Sequence, residues 1–167
     1  MRIEEGARLP GADLVRAGTD GPERVDLGDL LAGRRVVIFA VPGAFTPTCH
    51  SAHMPSFVRT ADELRAAGVD EIVCIAVNDP FVLRVWDEAT GAGEAGIRVL
   101  ADAEGAFTRA IGMEFDAPAA GLMGRSQRYA MLVEDGTVAL LHVEAGRGTC
   151  EISGGEAMLE AVRAKGA

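Results

Sequence analysis

The chain has 167 residues, of which 49% are hydrophobic and 25% charged, so we expect one globular domain covering residues 1–167. Its net charge of −9, from 16 basic and 25 acidic residues, repels phosphate backbones and anionic lipid surfaces. Nucleic-acid and membrane partners are therefore not expected, and the apolar runs are far shorter than the roughly 20 residues that span a bilayer.

The first clear element is a buried strand followed by a helix. Residues Val36–Val41 are β-branched or apolar on both faces, which is typical of an internal strand. The next residues predict a helix with Thr46 as N-cap, Pro47 at the first helical position and Gly68 at its end. Pro55 lies inside this helix and predicts a kink, because proline lacks the backbone donor.

A second strand and helix follow. Glu71–Val77 reads as another buried strand, and Asp79 is the predicted N-cap of the next helix. The face that we expect this helix to bury consists of Phe81, Val82, Val85, Trp86 and Ala89. The segment Gly91–Gly96 has the letters of a dinucleotide-binding G-x-G-x-x-G motif, but it follows a helix and precedes the short strand Ile97–Leu100. That order is the reverse of the one that places a helix N-terminus at a pyrophosphate, so we interpret the segment as a loop.

The following stretch has weaker patterning. Asp102 is expected to open a short helix that ends at Gly112. Residues Glu114–Gln127 show no clear period and are predicted to form a long loop of the kind that often carries function.

The C-terminal part predicts a hairpin and a last helix. Asp135-Gly136 separates the apolar runs Arg128–Glu134 and Thr137–Val143, which is a strong hairpin signal. Ser153 and Glu156 have the spacing of a capping box. Alternating strands and helices favour parallel strands, whereas the hairpin adds antiparallel ones. We therefore predict a three-layer α/β sandwich with a mixed central sheet flanked by helices.

Three cysteines occur, at positions 49, 74 and 150, and the residues Met1–Glu5 lack the apolar stretch of an export signal. We expect a cytoplasmic protein in which the three thiols do not form a disulfide framework. Each thiol then serves either chemistry or packing.

Cys49 lies in the first turn of a predicted helix, at the carboxyl end of a predicted parallel strand. Free N–H groups and the helix dipole favour a thiolate there, although a buried structural thiol is the alternative. No Cys-x-x-Cys pair is present. His50 and His53 project from the same helix and are interpreted as packing or surface residues rather than bases. A zinc site built from Cys49, His53 and His142 lacks a known ligand spacing.

The segment Pro42–Cys49 closely resembles the active-site loop of peroxiredoxins, with its Pro-x-x-x-Thr-x-x-Cys signature. The segments Cys49–Phe57, Cys74–Val82 and Arg125–Ala130 are similar to the type II, or peroxiredoxin-five-like, subfamily. Four segments match in order and spacing, and the resemblance extends over roughly residues 3–163.

The resemblance implies a thioredoxin-like fold and a thiol peroxidase that reduces hydrogen peroxide and small organic hydroperoxides. Cys49 matches the peroxidatic cysteine, and Pro42, Thr46 and Arg128 match the residues that complete its site. The Thr46 hydroxyl can bond the thiolate and the peroxide, Arg128 favours the thiolate, and Pro42 shields it. Backbone N–H groups of Thr48 and Cys49 can hold the peroxide as its O–O bond breaks. Without the resemblance, Arg128 would read as a surface charge.

The resemblance also implies how the oxidised cysteine is recycled. Cys150, after the glycine-rich segment that begins at Gly146, is the candidate resolving cysteine, although an external thiol could serve instead. Cys74 reads as a buried structural thiol and is a minor candidate. The expected reductant is thioredoxin or a glutathione/glutaredoxin system, the expected assembly is a homodimer, and no metal, haem or nucleotide cofactor is expected.

Two other functions stay open from the sequence. One is a redox-sensing interaction protein that signals Cys49 oxidation through Asp116–Gln127. The other is a thioredoxin-fold binding module with an inert Cys49. Turnover with a recycling thiol separates both from a peroxidase.

Overall fold

Apolar, β-branched runs form the centre of a seven-stranded sheet in the computed structural model, which describes residues 1–146 and 148–166. Arg147, in the glycine-rich segment before Cys150, and Ala167 lie outside the described residues. The strands are β1 (Asp13–Gly18), β2 (Gly21–Asp26), β3 (Arg35–Val41), β4 (Glu71–Ala76), β5 (Ile97–Ala101), β6 (Glu114–Ala117), β7 (Leu122–Ser126), β8 (Tyr129–Glu134) and β9 (Thr137–Val143). The helices are α1 (Leu27–Leu31), α2 (Met54–Ala66), α3 (Pro80–Thr90), α4 (Ala106–Ala110) and α5 (Gly155–Lys165), with a π-helical turn at Cys49–His53 and a 3-10 turn at Pro118–Ala120.

The strand order in the main sheet is β2-β1-β5-β4-β3-β8-β9. Strands β3, β4 and β5 are parallel, whereas β8 runs antiparallel to both β3 and β9. The predicted α/β sandwich with a mixed sheet is therefore confirmed. Because β3 is central, its carboxyl end meets the end of β4 on one side and the start of β8 on the other.

Each face of the sheet is covered by helices. Helices α2, α3 and α5 cover one face, where the rings of Phe39 and Phe57 stack at 4.1 Å between centroids. Helices α1 and α4 cover the other face through side chains such as Leu30 and Phe107. Burial of a side chain of this size contributes roughly 1.5–3 kcal/mol, so the two apolar layers hold the sheet between them.

Several local predictions are confirmed. Asp79 caps α3 by accepting hydrogen bonds from two backbone N–H groups, and Gly91 ends the helix in a left-handed conformation. Asp135 and Gly136, with φ of 47° and 78°, turn β8 into β9. The segment at 91–96 is a loop between α3 and β5. The short helix predicted to open at Asp102 begins later, at Ala106 with Gly105 as its N-cap, and the Asp102 carboxylate accepts the N–H groups of Phe107 and Thr108 from outside the helix.

Other predictions are wrong. Residues 114–126 form the hairpin of β6 and β7 rather than a long loop, and this ribbon lies outside the main sheet. Since neither face of this separate ribbon packs on the main sheet, its sequence shows no regular alternation of apolar and polar residues. The hairpin of β1 and β2, whose residues are mostly exposed or only partly buried, was not predicted for the same reason.

The predicted buried face of α3 is confirmed only at Trp86. The helix buries Pro80, Leu83 and Trp86, whereas Phe81 and Val85 keep 58% and 56% of their surface exposed. Apolar spacing alone does not say which of two neighbouring stripes faces the sheet. The described helices include none that is long and apolar enough to cross a membrane.

Pro55 lies inside the helix, as predicted, because the chain is helical without a break from Pro47 through the π-helical turn at Cys49–His53 into α2. The irregularity of this helix is that π-helical turn, in which the Met54 N–H donates to the carbonyl of Cys49. It directly precedes Pro55, which has no backbone N–H to donate.

Candidate active site

Cys49 lies just after β3, where the chain enters a helix, and it is fully buried. Pro47 and Thr48 are already helical, and the first backbone bond runs from the His50 N–H to the Thr46 carbonyl at 2.9 Å. The N–H groups of Thr48 and Cys49 therefore have no acceptor within the helix. Together with the helix dipole, they make this turn a favourable place for negative charge.

Thr46 occupies the N-cap position, as predicted, and Pro47 is the first helical residue, but the Thr46 side chain does not cap the helix. Its hydroxyl donates to the Gly43 carbonyl at 2.7 Å, and Thr48 likewise makes no side-chain cap. Within residues 1–146 and 148–166, the donors at the helix start thus stay available to a ligand. The Thr46 oxygen retains its capacity to accept a further hydrogen bond.

Arg128 lies directly before β8 and reaches the sulfur of Cys49. Its Nη2 donates to Cys49 Sγ at 3.1 Å, and its Nη1 donates to His53 Nδ1 at 3.0 Å. The side chain is only 1% exposed, so the interpretation of Arg128 as a surface charge is wrong. Antiparallel pairing of β8 with β3 brings these two residues together across the sheet.

His53 is a neutral imidazole that holds Arg128. Burial, together with the nearby Arg128 charge, lowers the pKa of His53 to about 3. Because a guanidinium can only donate, Nδ1 is the acceptor, and Nε2 donates to the Ser153 carbonyl at 2.9 Å. The ring also contacts Phe39, so the predicted packing role holds. Sequence reasoning missed that the same residue orients Arg128, although its i+4 spacing from Cys49 was available.

A cavity of about 280 Å³ opens beside this cluster. Its wall contains four of the predicted residues and four others, namely Pro42, Thr46, Thr48, Arg128, Pro47, Ala120, Leu122 and Gly148. Cys49 is buried behind the wall and contacts its Arg128. The cavity suits a small molecule that meets polar groups on one side and the apolar Ala120 and Leu122 on the other.

The other two thiols differ in their surroundings. Cys74, on β4, is fully buried, and burial raises its pKa well above the ordinary value. Cys150 is half-buried beside the start of α5, and burial also raises its pKa, against the lowering effect of Arg128. All three cysteines are free thiols in this structure. The Thr48 hydroxyl donates to the Gly148 carbonyl at 3.1 Å, so the segment before Cys150 contacts the Cys49 turn.

Glu144 anchors the residues that follow Cys150. Its Oε1 accepts the N–H groups of Glu151, Ile152 and Ser153 at 2.6–2.8 Å. The same oxygen accepts the Ser153 hydroxyl at 3.0 Å, so the predicted Ser153 capping box is wrong and Gly154 occupies the N-cap position of α5. These bonds restrain the three residues that directly follow Cys150.

Helix α5 approaches α2 closely at Gly155. Its N–H donates to Ser56 Oγ at 2.8 Å, and a Cβ at this position would lie 2.3 Å from the Ser56 carbonyl oxygen. Only glycine fits there. The contact fixes the start of α5, and with it Ser153, against the helix that carries His53.

A second group lies on the outer side of Cys49. Trp86 Nε1 donates to His50 Nδ1 at 3.2 Å, and the ring of Phe45 stacks on His50 with centroids 5.5 Å apart. Phe45 has a φ of 61°, and 49% of its surface is exposed. The described residues contain no group of three His, Cys, Asp or Glu side chains able to hold a metal.

The chain is similar to known proteins over almost its whole length. The Redoxin family matches residues 4–159. Peroxiredoxin-2E-2, a chloroplastic protein of Oryza sativa subsp. japonica, is 46% identical over 164 residues, covering 96% of this chain and 72% of the relative.

Two solved structures share the fold and much of the sequence. Reduced Prx3 from Vibrio vulnificus, solved in complex with hydrogen peroxide, superposes with a TM-score of 0.89 at 45% identity, covering 96% of this chain and 99% of that one. Peroxiredoxin 5 from Alvinella pompejana superposes with a TM-score of 0.84 at 32% identity, covering 97% and 99%. The chain therefore belongs to the Redoxin family and, within it, to the type II peroxiredoxins, and it is a thiol-dependent peroxidase.

Proposed function

We propose that Cys49 is the peroxidatic residue of this enzyme. Its thiolate attacks one peroxide oxygen, the O–O bond breaks, and the leaving oxygen departs with a proton as water or an alcohol. Cys49 becomes a sulfenic acid. The observation that carries this assignment is the 3.1 Å contact between Arg128 Nη2 and the buried Cys49 sulfur, because a fixed cation favours the thiolate form.

The neighbouring groups supply the other requirements of the reaction. The Thr46 hydroxyl donates a hydrogen bond to the Gly43 carbonyl, so its oxygen is left to accept a hydrogen bond from the O–H of a bound peroxide and orients it. The N–H groups of Thr48 and Cys49 face the negative charge that develops on the leaving oxygen. Pro42 is buried in the cavity wall and excludes water from the sulfur.

The cavity supports hydrogen peroxide and small organic hydroperoxides as substrates. The similar Vibrio vulnificus protein was solved with hydrogen peroxide bound. A volume of about 280 Å³ also admits a short alkyl group, which would lie against Ala120 and Leu122.

Cys150 is the first candidate for resolving the sulfenic acid. Its thiolate attacks the Cys49 sulfur, an S–S bond forms, and the hydroxyl leaves as water after taking a proton. Thioredoxin, or glutathione with glutaredoxin, then reduces the disulfide by thiol exchange. Because Cys49 is fully buried and Glu144 holds the residues after Cys150, we expect the Glu144-anchored segment and the start of the Cys49 helix to open when the disulfide forms. Cys74 and an external thiol are the alternatives.

Exposed apolar side chains on the same edge of the molecule support the expected homodimer. Phe45, Phe81 and Val85 each keep about half of their surface exposed, from 49% to 58%. Sedimentation at micromolar concentration should give a dimer, and Phe81→Asp should shift it to monomer. A monomeric unmodified protein would contradict this assembly. The single domain and the cytoplasmic location stay predictions.

The decisive test is peroxide consumption with each recycling system supplied separately. Cys49→Ser should abolish consumption, because a serine hydroxyl is not ionised at neutral pH. Cys74→Ser should keep the first oxidation, and substantial activity in Cys49→Ser would overturn the assignment. Peptide mapping after one equivalent of peroxide then identifies the resolving thiol as Cys150, Cys74 or an external one.

A further inference from the structure

Glu144 is a buried carboxylate that the reaction described above does not use. It follows β9 directly, and only 9% of its surface is exposed. Burial opposes its ionisation, but the hydrogen bonds from Ser153, Glu151 and Ile152 outweigh that cost and hold the pKa of its carboxyl below the ordinary value. Four donors converge on a single oxygen, so this side chain fixes three consecutive residues of backbone.

A continuous path leads from those residues to the Cys49 sulfur. The Ser153 carbonyl accepts His53 Nε2–H, His53 Nδ1 accepts Arg128 Nη1–H, and Arg128 Nη2 donates to Cys49. The path closes on itself, because the Glu144 N–H donates to the Arg128 carbonyl at 3.0 Å. Both ends of Arg128, backbone and guanidinium, are thereby tied to Glu144.

Each link depends on the one before it. A neutral imidazole has one donor and one acceptor, and its protonated nitrogen is set by the partner of the other. The Ser153 carbonyl keeps the proton on Nε2 and leaves Nδ1 as an acceptor for Arg128. If the carbonyl moved away, the ring would be free to rotate or change tautomer, and Arg128 would lose the contact that directs it.

We propose that Glu144 is a positioning residue for the peroxide reaction, which acts through Ser153 and His53 to hold Arg128 against Cys49. This rests on the proposed role of Cys49 as the attacking group. It also makes the Cys150 segment part of the peroxide-reactive arrangement, since Cys150 directly precedes the anchored residues. Release of Glu144 frees Cys150 and loosens Arg128 in the same event.

The test uses full-length protein in which Cys74 and Cys150 are serine, so that Cys49 is the only thiol. Two quantities are measured: the rate of Cys49 oxidation by hydrogen peroxide, from intact mass after dimedone trapping, and hydrogen exchange at residues 151–153. Glu144→Gln should speed exchange there and slow oxidation about tenfold, because a charged hydrogen-bond acceptor is lost. The matched control is Glu63→Gln, since Glu63 is exposed and paired with Arg163; it should leave both quantities unchanged.

Faster exchange with an unchanged oxidation rate would overturn the proposal, as would unchanged exchange. Glu144→Asp keeps the charge on a shorter side chain. Its exchange and oxidation rates should lie between those of the unmodified protein and Glu144→Gln, which provides a second variant if Glu144→Gln folds poorly.

The path from Glu144 through His53 is tested by combining Glu144→Gln with His53→Gln. The double variant should react no more slowly than His53→Gln alone, whereas multiplied losses would show that Glu144 does not act through His53. Because the readout is oxidation of Cys49 itself, loss of the proposed function would appear separately, as peroxide consumption that survives Cys49→Ser.

Discussion

Two strand-to-helix junctions lie side by side at one edge of the sheet, since β3 and β4 are parallel neighbours. The junction after β4 is capped: Asp79 accepts the N–H groups of Phe81 and Val82, both at 2.9 Å. Among the residues that the structure describes, none caps the junction after β3 in this way, and the hydroxyl groups of Thr46 and Thr48 donate to the carbonyls of Gly43 and Gly148. The two are linked where the Ala44 N–H donates to Asn78.

Under the proposed function, this difference distinguishes a helix start with a structural role from one with a reactive role. A side-chain cap is worth about 1 kcal/mol because it satisfies orphan N–H groups. The junction after β3 forgoes that stabilisation, and its donors remain for a ligand. At the capped junction a carboxylate of the chain, Asp79, meets the helix N–H groups, whereas at the uncapped one the Arg128 guanidinium lies 3.1 Å from the Cys49 sulfur.

The largest expected effect comes from removing the cation of the uncapped junction. Arg128→Ala should slow Cys49 oxidation by about 10²–10³-fold, the scale expected when a group that stabilises charge in a buried site is lost. Alkylation of Cys49 by iodoacetamide at neutral pH should slow as well, since less thiolate is present. Arg128→Lys keeps the charge but cannot donate to Cys49 and His53 from two separate nitrogens, so it should recover part of the rate. Unchanged rates in Arg128→Ala would reduce the residue to a structural role.

A smaller effect is expected in the pH dependence of the free energy of unfolding. It comes from His53, which lies beside the uncapped junction and bonds Arg128. The pKa of His53 is about 3 in the folded protein, against 6.5 ordinarily. Below pH 6.5 the unfolded chain therefore binds a proton that the folded chain does not, and the free energy of unfolding falls as the pH falls. Between pH 6.5 and pH 5 the loss should be roughly 2 kcal/mol from this residue. Urea unfolding at several pH values measures it, and His53→Gln should flatten the slope; a slope that persists would assign it to other groups.

The smallest effect is expected at the capped junction. Asp79→Ala should lower the free energy of unfolding by about 1 kcal/mol, measured by urea denaturation, while the rate of Cys49 oxidation stays the same. The matched change at the uncapped junction, Thr46→Val, should slow the oxidation of Cys49 about tenfold, because the peroxide loses a hydrogen-bond partner. A large rate loss in Asp79→Ala would erase the distinction between the two junctions.

The sheet and the position of Cys49 were predictable because local signals determine them. The apolar runs of β3 and β4, the Asp135-Gly136 turn and the Asp79 cap each act within a few residues. The family signature added Arg128, which no local pattern distinguishes from a surface charge. Its burial depends on β8 pairing with β3, a contact between distant parts of the chain.

Long-range contacts explain the rest. The sequence around Ser153 predicts a helix cap, but its hydroxyl donates instead to Glu144, nine residues earlier. His53 looks like a packing residue until Arg128 and Ser153 approach it from two other elements. The outward face of α3 was misassigned because its apolar residues read as core, whereas they lie on the surface of the single chain.

Trp86 is the only tryptophan of the chain, and its indole N–H is bonded to His50, the residue after Cys49. Its fluorescence therefore comes from one site whose polarity depends on that contact. The proposed disulfide step would unwind the start of the Cys49 helix and separate His50 from the indole, so we expect the emission to report this step without an added label. Comparing emission with sulfenic acid formation in time would show whether the helix opens before or after the sulfur is oxidised.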